Sequence, residues 1–197
     1  MGAGIQRILL GLPFFAINLA MIQGAYERAI SSLRAPRWLL SAVDEWLETR
    51  NLTNSPAIAV HIRLTDQVGR GFLGVGFADR CVADASKAAG EVSLALSPWT
   101  ALRPENVLPA LLVASDDPKS LCVRTIVESL SLPRVEFVSA PDGDPAPLPD
   151  GLHSQFIQET LARSIAFVGT NFSTFSSAIH QIRVLRNGYA INSSFLL

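Results

Sequence analysis

Residues 57–66 read AIAVHIRLTD, and this short stretch decides the fold. Its first part, residues 57–63, is a nearly continuous apolar run, which is typical of a strand covered on both faces of a parallel sheet. Its end is polar, with Arg63, Thr65 and Asp66 in close succession. A buried strand that ends in charged and hydroxyl side chains predicts a ligand-binding edge in an α/β sheet.

Outward from this stretch, apolar runs alternate with helical patterns. Further strands are predicted at residues 111–115, 135–138 and 165–169. Helices are predicted at residues 78–90, 118–131 and 152–163 and from Phe172 to about Arg186. Loops are predicted at the glycine-rich residues 69–76, at 90–109 and at 140–150. This alternation predicts a doubly wound, mainly parallel α/β sheet, the architecture of a Rossmann-like half.

The residues before this stretch predict a helical lead-in. Residues 14–33 are interpreted as one helix, and a second follows Pro36 with an apolar face that includes Leu39, Val43 and Trp46. The apolar run at residues 8–22 is shorter than the ~20 residues that a spanning helix needs, so we interpret it as a buried helix, with a secretory signal as the alternative. The predicted domains are a helical segment at 1–50 and a Rossmann-like domain at 51–197.

Composition narrows the classes of function. The chain has 197 residues and a net charge of −1, which argues against nonspecific binding to nucleic acid or to a membrane surface. The sequence has no Walker pattern, no G-x-G-x-x-G and no metal-ligand spacing, so no metal or cofactor site is predicted. Cys81 and Cys122 are too few for a disulfide framework, and their apolar surroundings favour buried free thiols over a disulfide.

Polar residues follow three of the predicted strands. The candidate site residues are His61, Arg63 and Asp66 after the first strand, Asp116 and Asp117 after the second, and Thr170, Asn171, Ser173 and Thr174 after the fourth. Because the carboxyl ends of parallel strands meet at one edge of a sheet, these side chains are expected to form one site.

Each candidate has a functional and a structural interpretation. Arg63 offers a bidentate fork to a phosphate, or forms a structural salt bridge with Asp66 or Asp116. His61 shares a face with Arg63 by strand alternation, and its alternative is a satisfied core histidine. Asp117 lines the site, or caps a helix that begins at Pro118. Residues 169–177 form a phosphate cradle at a helix N-terminus, or contain a plain N-cap.

Three stretches resemble a known family. Residues 59–69 (AVHIRLTDQVG) are similar to the VHVRRTDKVG motif of the α1,6-fucosyltransferases that modify N-glycan cores, glycosyltransferase family 23. Residues 112–118 (LVASDDP) are similar to the family's LATDDP. Residues 167–176 (FVGTNFSTFS) resemble its third motif and the GTNFSSFS run of the related GDP-fucose O-fucosyltransferases. Residues 21–39 are similar to the helix and RPQPWL turn before the first motif.

The resemblance implies the donor-binding half of a GT-B enzyme that transfers fucose from GDP-fucose to a glycan or glycoprotein acceptor, with inversion and without a metal. It implies that Arg63 holds the diphosphate and acts in catalysis with Asp66. It also implies that His61, Asp116, Asp117 and the residues of the third motif line the donor site. Such enzymes act in the Golgi lumen of the secretory pathway, with any membrane association expected from an upstream anchor.

The chain departs from the family pattern where a base is expected. Leu64 replaces the family's second arginine, Gln67 replaces its lysine, and Arg70 and Gly71 stand where a carboxylate would serve as general base. The amino-terminal half that closes a GT-B cleft is also largely absent from this sequence. The alternative function is therefore a non-catalytic GDP-sugar-binding domain, and a weaker one is an unrelated α/β enzyme that binds a phosphorylated metabolite.

Overall fold

A computed structural model describes residues 35–65, 76–101, 108–139, 150–171 and 173–197. Within these ranges the chain forms a five-stranded sheet in the order β3-β2-β1-β4-β5 with every pairing parallel. The strands are β1 (Ala57–Ile62), β2 (Ala110–Ser115), β3 (Val135–Phe137), β4 (Ala166–Gly169) and β5 (Ser194–Leu196). The helices are α1 (Arg37–Thr49), α2 (Phe77–Ala83), α3 (Ala85–Ala101), α4 (Leu121–Leu130), α5 (Asp150–Leu161) and α6 (Thr174–Gln181). The predicted α/β parallel sheet is confirmed.

The sheet has a hydrophobic core on each face, because successive residues of β1 point to opposite sides. Ile58, Val60 and Ile62 pack against α2, α3 and α4. Ala57 and Ala59 face the other way, toward α1, α5 and α6. The all-buried pattern of β1 explains why its sequence is almost continuously apolar. Helices on both faces leave the carboxyl-terminal edge of the sheet as the place where strand ends meet loops.

Helix α1 confirms the second predicted helix. It begins directly after Pro36, and it buries Leu39, Val43 and Trp46. The Trp46 ring meets the Phe156 ring of α5 edge-on at 6.4 Å, so α1 packs against α5 on the same face of the sheet. The predicted helix at 14–33, the apolar run at 8–22 and with them the domain division at residue 50 involve residues outside the described ranges. In the described part of the chain, no helix combines the length and apolarity needed to cross a membrane.

Residues 85–101 form a helix, so the predicted loop at 90–109 is wrong over its first part. The buried residues Ala88, Ala89, Val92 and Leu96 follow a helical period and decide the structure. Packing does not require glycine at position 90, since a Cβ there would meet nothing within 4 Å, and the helix accommodates it at a cost of about 1 kcal/mol relative to alanine. Pro98 cannot donate a backbone N–H to the Leu94 carbonyl, and the Ser97 hydroxyl donates to that carbonyl instead at 2.9 Å.

The carboxyl-terminal part differs from its prediction. The helix expected to reach Arg186 ends at Gln181 and continues as a π-helical turn, Ile182–Arg186. The strand β5, which sequence reasoning missed, pairs with β4 through Phe167↔Ser194. A three-residue strand carries too short a pattern to be read from sequence. Its place is set by the buried Arg183, whose guanidinium donates to Ser194 Oγ at 2.8 Å.

Cys81 and Cys122 form a disulfide, so the interpretation as free buried thiols is wrong. Cys81 lies on α2 and Cys122 on α4, and their Cα atoms are 5.6 Å apart. Both side chains are buried in the core between these helices. The pairing depends on how two helices pack across one face of the sheet, which 41 residues of sequence separation do not reveal.

Candidate functional site

The candidate site lies at the carboxyl ends of β1, β2 and β4. β1 stands between the other two strands, and His61 is level with both Ala114 and Gly169. The chain proceeds from β1 to β3 in one direction across the sheet and then returns to β4 on the other side of β1. The boundary between β1 and β4 is therefore a topological switch point, where open α/β sheets bind their ligands.

Arg63 follows β1 and pairs with Asp116, which follows β2. Its Nε lies 3.4 Å from Asp116 Oδ2, and the two side chains are 37% and 17% exposed. The salt bridge expected as the structural alternative is thus present. Because more than a third of the Arg63 side chain remains exposed, the guanidinium also reaches the surface of this edge.

Asp116 organises the backbone after β1. It accepts hydrogen bonds from the Leu64 N–H at 2.8 Å, the Thr65 N–H at 3.0 Å and the Thr65 hydroxyl. Burial opposes ionisation of Asp116, but the bonds from Thr65 and Leu64 and the charge of Arg63 outweigh it and lower the pKa of the carboxyl. Asp116 is therefore an anion that holds the turn carrying Arg63.

Thr170 joins the ends of β1 and β4. Its hydroxyl accepts from the Arg63 N–H at 2.9 Å and donates to the His61 carbonyl at 3.2 Å, while its own N–H donates to the same carbonyl at 3.1 Å. The residue is 2% exposed. Thr170 therefore acts by positioning the backbone on both sides of Arg63.

Helix α6 begins directly after this junction. Ser173 is its N-cap, and the Ser173 hydroxyl accepts from the Ser176 N–H at 3.3 Å. Thr174 is exposed at the first helical position, and exposed Asn171 ties its N–H to the Leu197 carbonyl at 2.7 Å. Gly169 allows close contact between strand and helix, since a Cβ at this position would lie 2.6 Å from the Ser176 Cβ. The plain N-cap is present, and it stands three residues after Thr170, whose hydroxyl accepts from the Arg63 N–H.

His61 is a buried member of the site. It is 5% exposed, its ring stacks on the Phe175 ring at 4.5 Å, and its Nδ1 lies 2.7 Å from the Ser176 hydroxyl oxygen. Burial is the largest influence on its pKa; Asp116 raises that pKa, Arg63 lowers it, and the result is a pKa lowered to about 4. His61 is thus a neutral ring near pH 7.

Two candidates remain, Asp117 and Asp66. The interpretation of Asp117 as a helix cap is wrong, because α4 begins at Leu121 and its N-cap is Ser120, which accepts from the Val123 N–H. The turn formed when the Asp117 carbonyl accepts from the Ser120 N–H delays the helix by three residues. Asp66 lies outside the described residues.

The structure adds two residues to the site. Ser176 and Phe175 contact His61, and neither is among the candidate site residues predicted from the sequence. Their signal was position: both stand in the first turn of the helix that follows the strand beside His61. In the part of the chain that the structure describes, no three His, Cys, Asp or Glu side chains come together as metal ligands.

The comparisons with known proteins concern the fold. No protein-family model matches the chain, and no curated protein does. A crystal structure of POFUT1 in complex with GDP-fucose is similar with a TM-score of 0.56 and 16% identity over 88% of this chain and 49% of that one. A structure of POFUT1 in complex with GDP is similar with a TM-score of 0.55 and 17% identity over 88% of this chain and 50% of that one. The chain therefore shares its α/β fold with about half the length of POFUT1.

Proposed function

We propose that this chain is the donor-binding part of a fucosyltransferase that takes GDP-fucose as its substrate. The observation that carries the proposal is the position of Arg63 at the switch point of the sheet, beside the N-terminus of α6. A guanidinium and a helix N-terminus aimed at one edge form a site for a diphosphate, because both favour anions and both donate hydrogen bonds.

The fold comparison supports a nucleotide-sugar donor. POFUT1, a GDP-fucose O-fucosyltransferase with the same fold, has been crystallised with GDP and with GDP-fucose. The third motif of this chain resembles the same O-fucosyltransferases. We therefore propose membership in the wider fucosyltransferase superfamily, and the neighbours do not favour its α1,6 branch over the others. The proposed acceptor is a hydroxyl of a glycan or glycoprotein.

The proposed chemistry assigns each side chain a separate task. Arg63 binds the diphosphate and stabilises the charge that develops on it as the bond to fucose breaks. Asp116 and Thr170 hold the backbone on which Arg63 stands. We propose that the donor site is also lined by Asp66, Asp117, Asn171, Ser173 and Thr174. Inversion and metal independence are carried over from the family resemblance.

An oxidising compartment fits the proposal. The Cys81–Cys122 disulfide joins two helices of one core, and disulfides persist mainly in the secretory pathway and outside the cell. We propose that the protein acts in the secretory pathway, with the Golgi lumen as the predicted site.

The second candidate function is binding of a GDP-sugar without transfer. It is favoured by Arg70 and Gly71, which stand where the family has its carboxylate base. An inverting displacement needs a group that accepts the proton of the acceptor hydroxyl. Transfer of fucose from GDP-fucose to a glycan or glycoprotein hydroxyl by the purified chain would argue against this candidate.

Calorimetric titration of the purified chain with GDP and GDP-fucose tests both candidates. We expect binding of both nucleotides and a loss of at least about tenfold in affinity in Arg63→Ala, because a charge-assisted pair to phosphate is removed. Arg163→Ala is the matched control, since Arg163 is also 37% exposed and pairs with an aspartate, Asp44, at 3.0 Å. Full affinity in Arg63→Ala, or no binding of GDP by the native chain, would contradict the proposal.

A further inference from the structure

The contact between His61 and Ser176 indicates which of the two groups donates the hydrogen bond. Ser176 is 0% exposed, and its hydroxyl oxygen lies 2.7 Å from His61 Nδ1. Among the described residues, no other hydrogen-bond partner of this hydroxyl is found. A buried hydroxyl proton that lacks an acceptor is energetically costly, because its hydrogen bond to water is lost and not replaced. The available acceptor is Nδ1.

The direction of this bond sets the state of the ring. A hydroxyl can donate to Nδ1 only when Nδ1 carries no proton, and a neutral imidazole then carries its proton on Nε2. The reverse arrangement, with the proton on Nδ1, would leave the Ser176 proton without an acceptor among these residues. The ring has little freedom to turn away, because Phe175 stacks on it at 4.5 Å and Gly169 holds the helix close to the strand.

We propose that Ser176 fixes His61 in the tautomer that carries its proton on Nε2, so that His61 presents a hydrogen-bond donor, and not a base, at the ligand-binding edge. Ser176 is then a positioning residue, because it is fully buried and acts through the ring. The neutral ring agrees with the burial that lowers the pKa of His61 to about 4.

A consequence concerns the missing general base. His61 stands beside Arg63 where a base would otherwise be sought, but its Nδ1 lone pair is occupied by Ser176 and its Nε2 carries the proton. His61 can therefore donate a hydrogen bond to an oxygen of GDP-fucose, such as a phosphate oxygen. It does not replace the carboxylate that is absent at Arg70 and Gly71. The nature of this ligand rests on the proposed function, whereas the tautomer does not.

Nitrogen-15 spectroscopy of the ligand-free protein at neutral pH tests the tautomer directly. The chain contains three histidines, and His61→Gln identifies the signals of His61. We expect the shift of an unprotonated nitrogen at Nδ1 and of a protonated nitrogen at Nε2. The opposite assignment, or the signals of a charged ring, would overturn the proposal without any variant of Ser176.

The variant Ser176→Ala tests the origin of the preference. We expect a mixture of tautomers, since the donor that selects one of them is gone. Thr160→Val is the matched control, because Thr160 is also 0% exposed and its hydroxyl donates to the Phe156 carbonyl within α5, away from His61. An unchanged tautomer in a folded Ser176→Ala variant would remove Ser176 from the proposal.

A titration with GDP separates this inference from the proposed function. In Ser176→Ala we expect a loss of about fivefold in affinity, the effect of misdirecting one ordinary hydrogen bond. Unchanged affinity would contradict a role of the fixed donor in binding. If the native chain binds no GDP while His61 still carries its proton on Nε2, the proposed function fails and the tautomer stands.

Discussion

Arg63 and Arg183 lie at opposite edges of the same sheet and do different work. Arg63 follows the carboxyl end of β1, and its side chain is 37% exposed beside Asp116. Arg183 is 0% exposed near the amino ends of β4 and β5, where it donates to Ser164, Ile165, Ser193 and Ser194. Its guanidinium also lies 4.5 Å from the centre of the Tyr189 ring. The buried arginine joins elements of the fold, and the exposed arginine is the one that we propose binds the diphosphate.

The two arginines differ in how the protein surrounds their positive charge. Burial lowers the pKa of Arg183 to about 10, and the nearby Tyr189 opposes this shift, so the side chain stays charged at neutral pH. Its charge is compensated by carbonyl and hydroxyl oxygens that surround it. At the other edge, Arg63 pairs with the partly buried carboxylate of Asp116, and its own side chain is 37% exposed.

The largest expected difference between the two arginines is the loss of stability when each is replaced by alanine. Arg183→Ala is expected to lower the free energy of unfolding by about 4 kcal/mol, because several buried acceptors lose their donor at once. Arg63→Ala is expected to lower it by less than about 1 kcal/mol, as for an exposed salt bridge. Chemical denaturation of both variants measures the difference. Equal losses would show that the two positions are not distinct in kind.

Gly169→Ala tests the close contact that forms the carboxyl-terminal edge. The added Cβ would meet the Ser176 Cβ at 2.6 Å, so α6 must shift away from β4. We expect a loss of about 2–3 kcal/mol in stability, in the range of overpacked cores, and a weaker affinity for GDP. Gly90→Ala is the control, because a Cβ there meets nothing within 4 Å. Native stability and affinity in Gly169→Ala would argue against the contact.

A change of pH sharpens the comparison of the two edges. His61 at one edge and His180 beside Arg183 both have their pKa lowered, first by burial. The unfolded chain binds protons near the usual histidine pKa, so stability is fully present above about pH 7 and falls as the pH drops toward 4. For His61 alone, a pKa of about 4 predicts a loss of about 2 kcal/mol between pH 7.5 and 5.

Thermal unfolding across this pH range, with His61→Gln and His180→Gln, assigns the effect to each edge. Each variant should weaken the pH dependence of stability by its own share. The pKa of Asp116 is also lowered, so this carboxylate stabilises the fold above its usual pKa of 3.8 and loses that contribution only at lower pH. A native chain equally stable at both pH values would contradict the burial of these rings.

Part of the fold and part of the site were readable from sequence. Apolar runs predicted four of the strands, and polar residues after three of them predicted a candidate site at the carboxyl ends of the strands, because both signals are local. The helix at residues 85–101 was misread because Gly90 and Pro98 are strong local breakers, and the packing of Val92 and Leu96 overrides them. The capping alternative for Asp117 is wrong because Ser120, three residues later, serves that function.

By itself, the sequence determined the alternation of strands and helices and the chemical character of the edge with Arg63. Both follow from the periodicity of apolar residues and from the residue types at strand ends. Tertiary structure alone decided the disulfide between Cys81 and Cys122, the strand β5 with its buried Arg183, and the bond between His61 and Ser176. Each joins groups whose meeting depends on how helices and strands pack in three dimensions, and no local pattern in the chain records that distance.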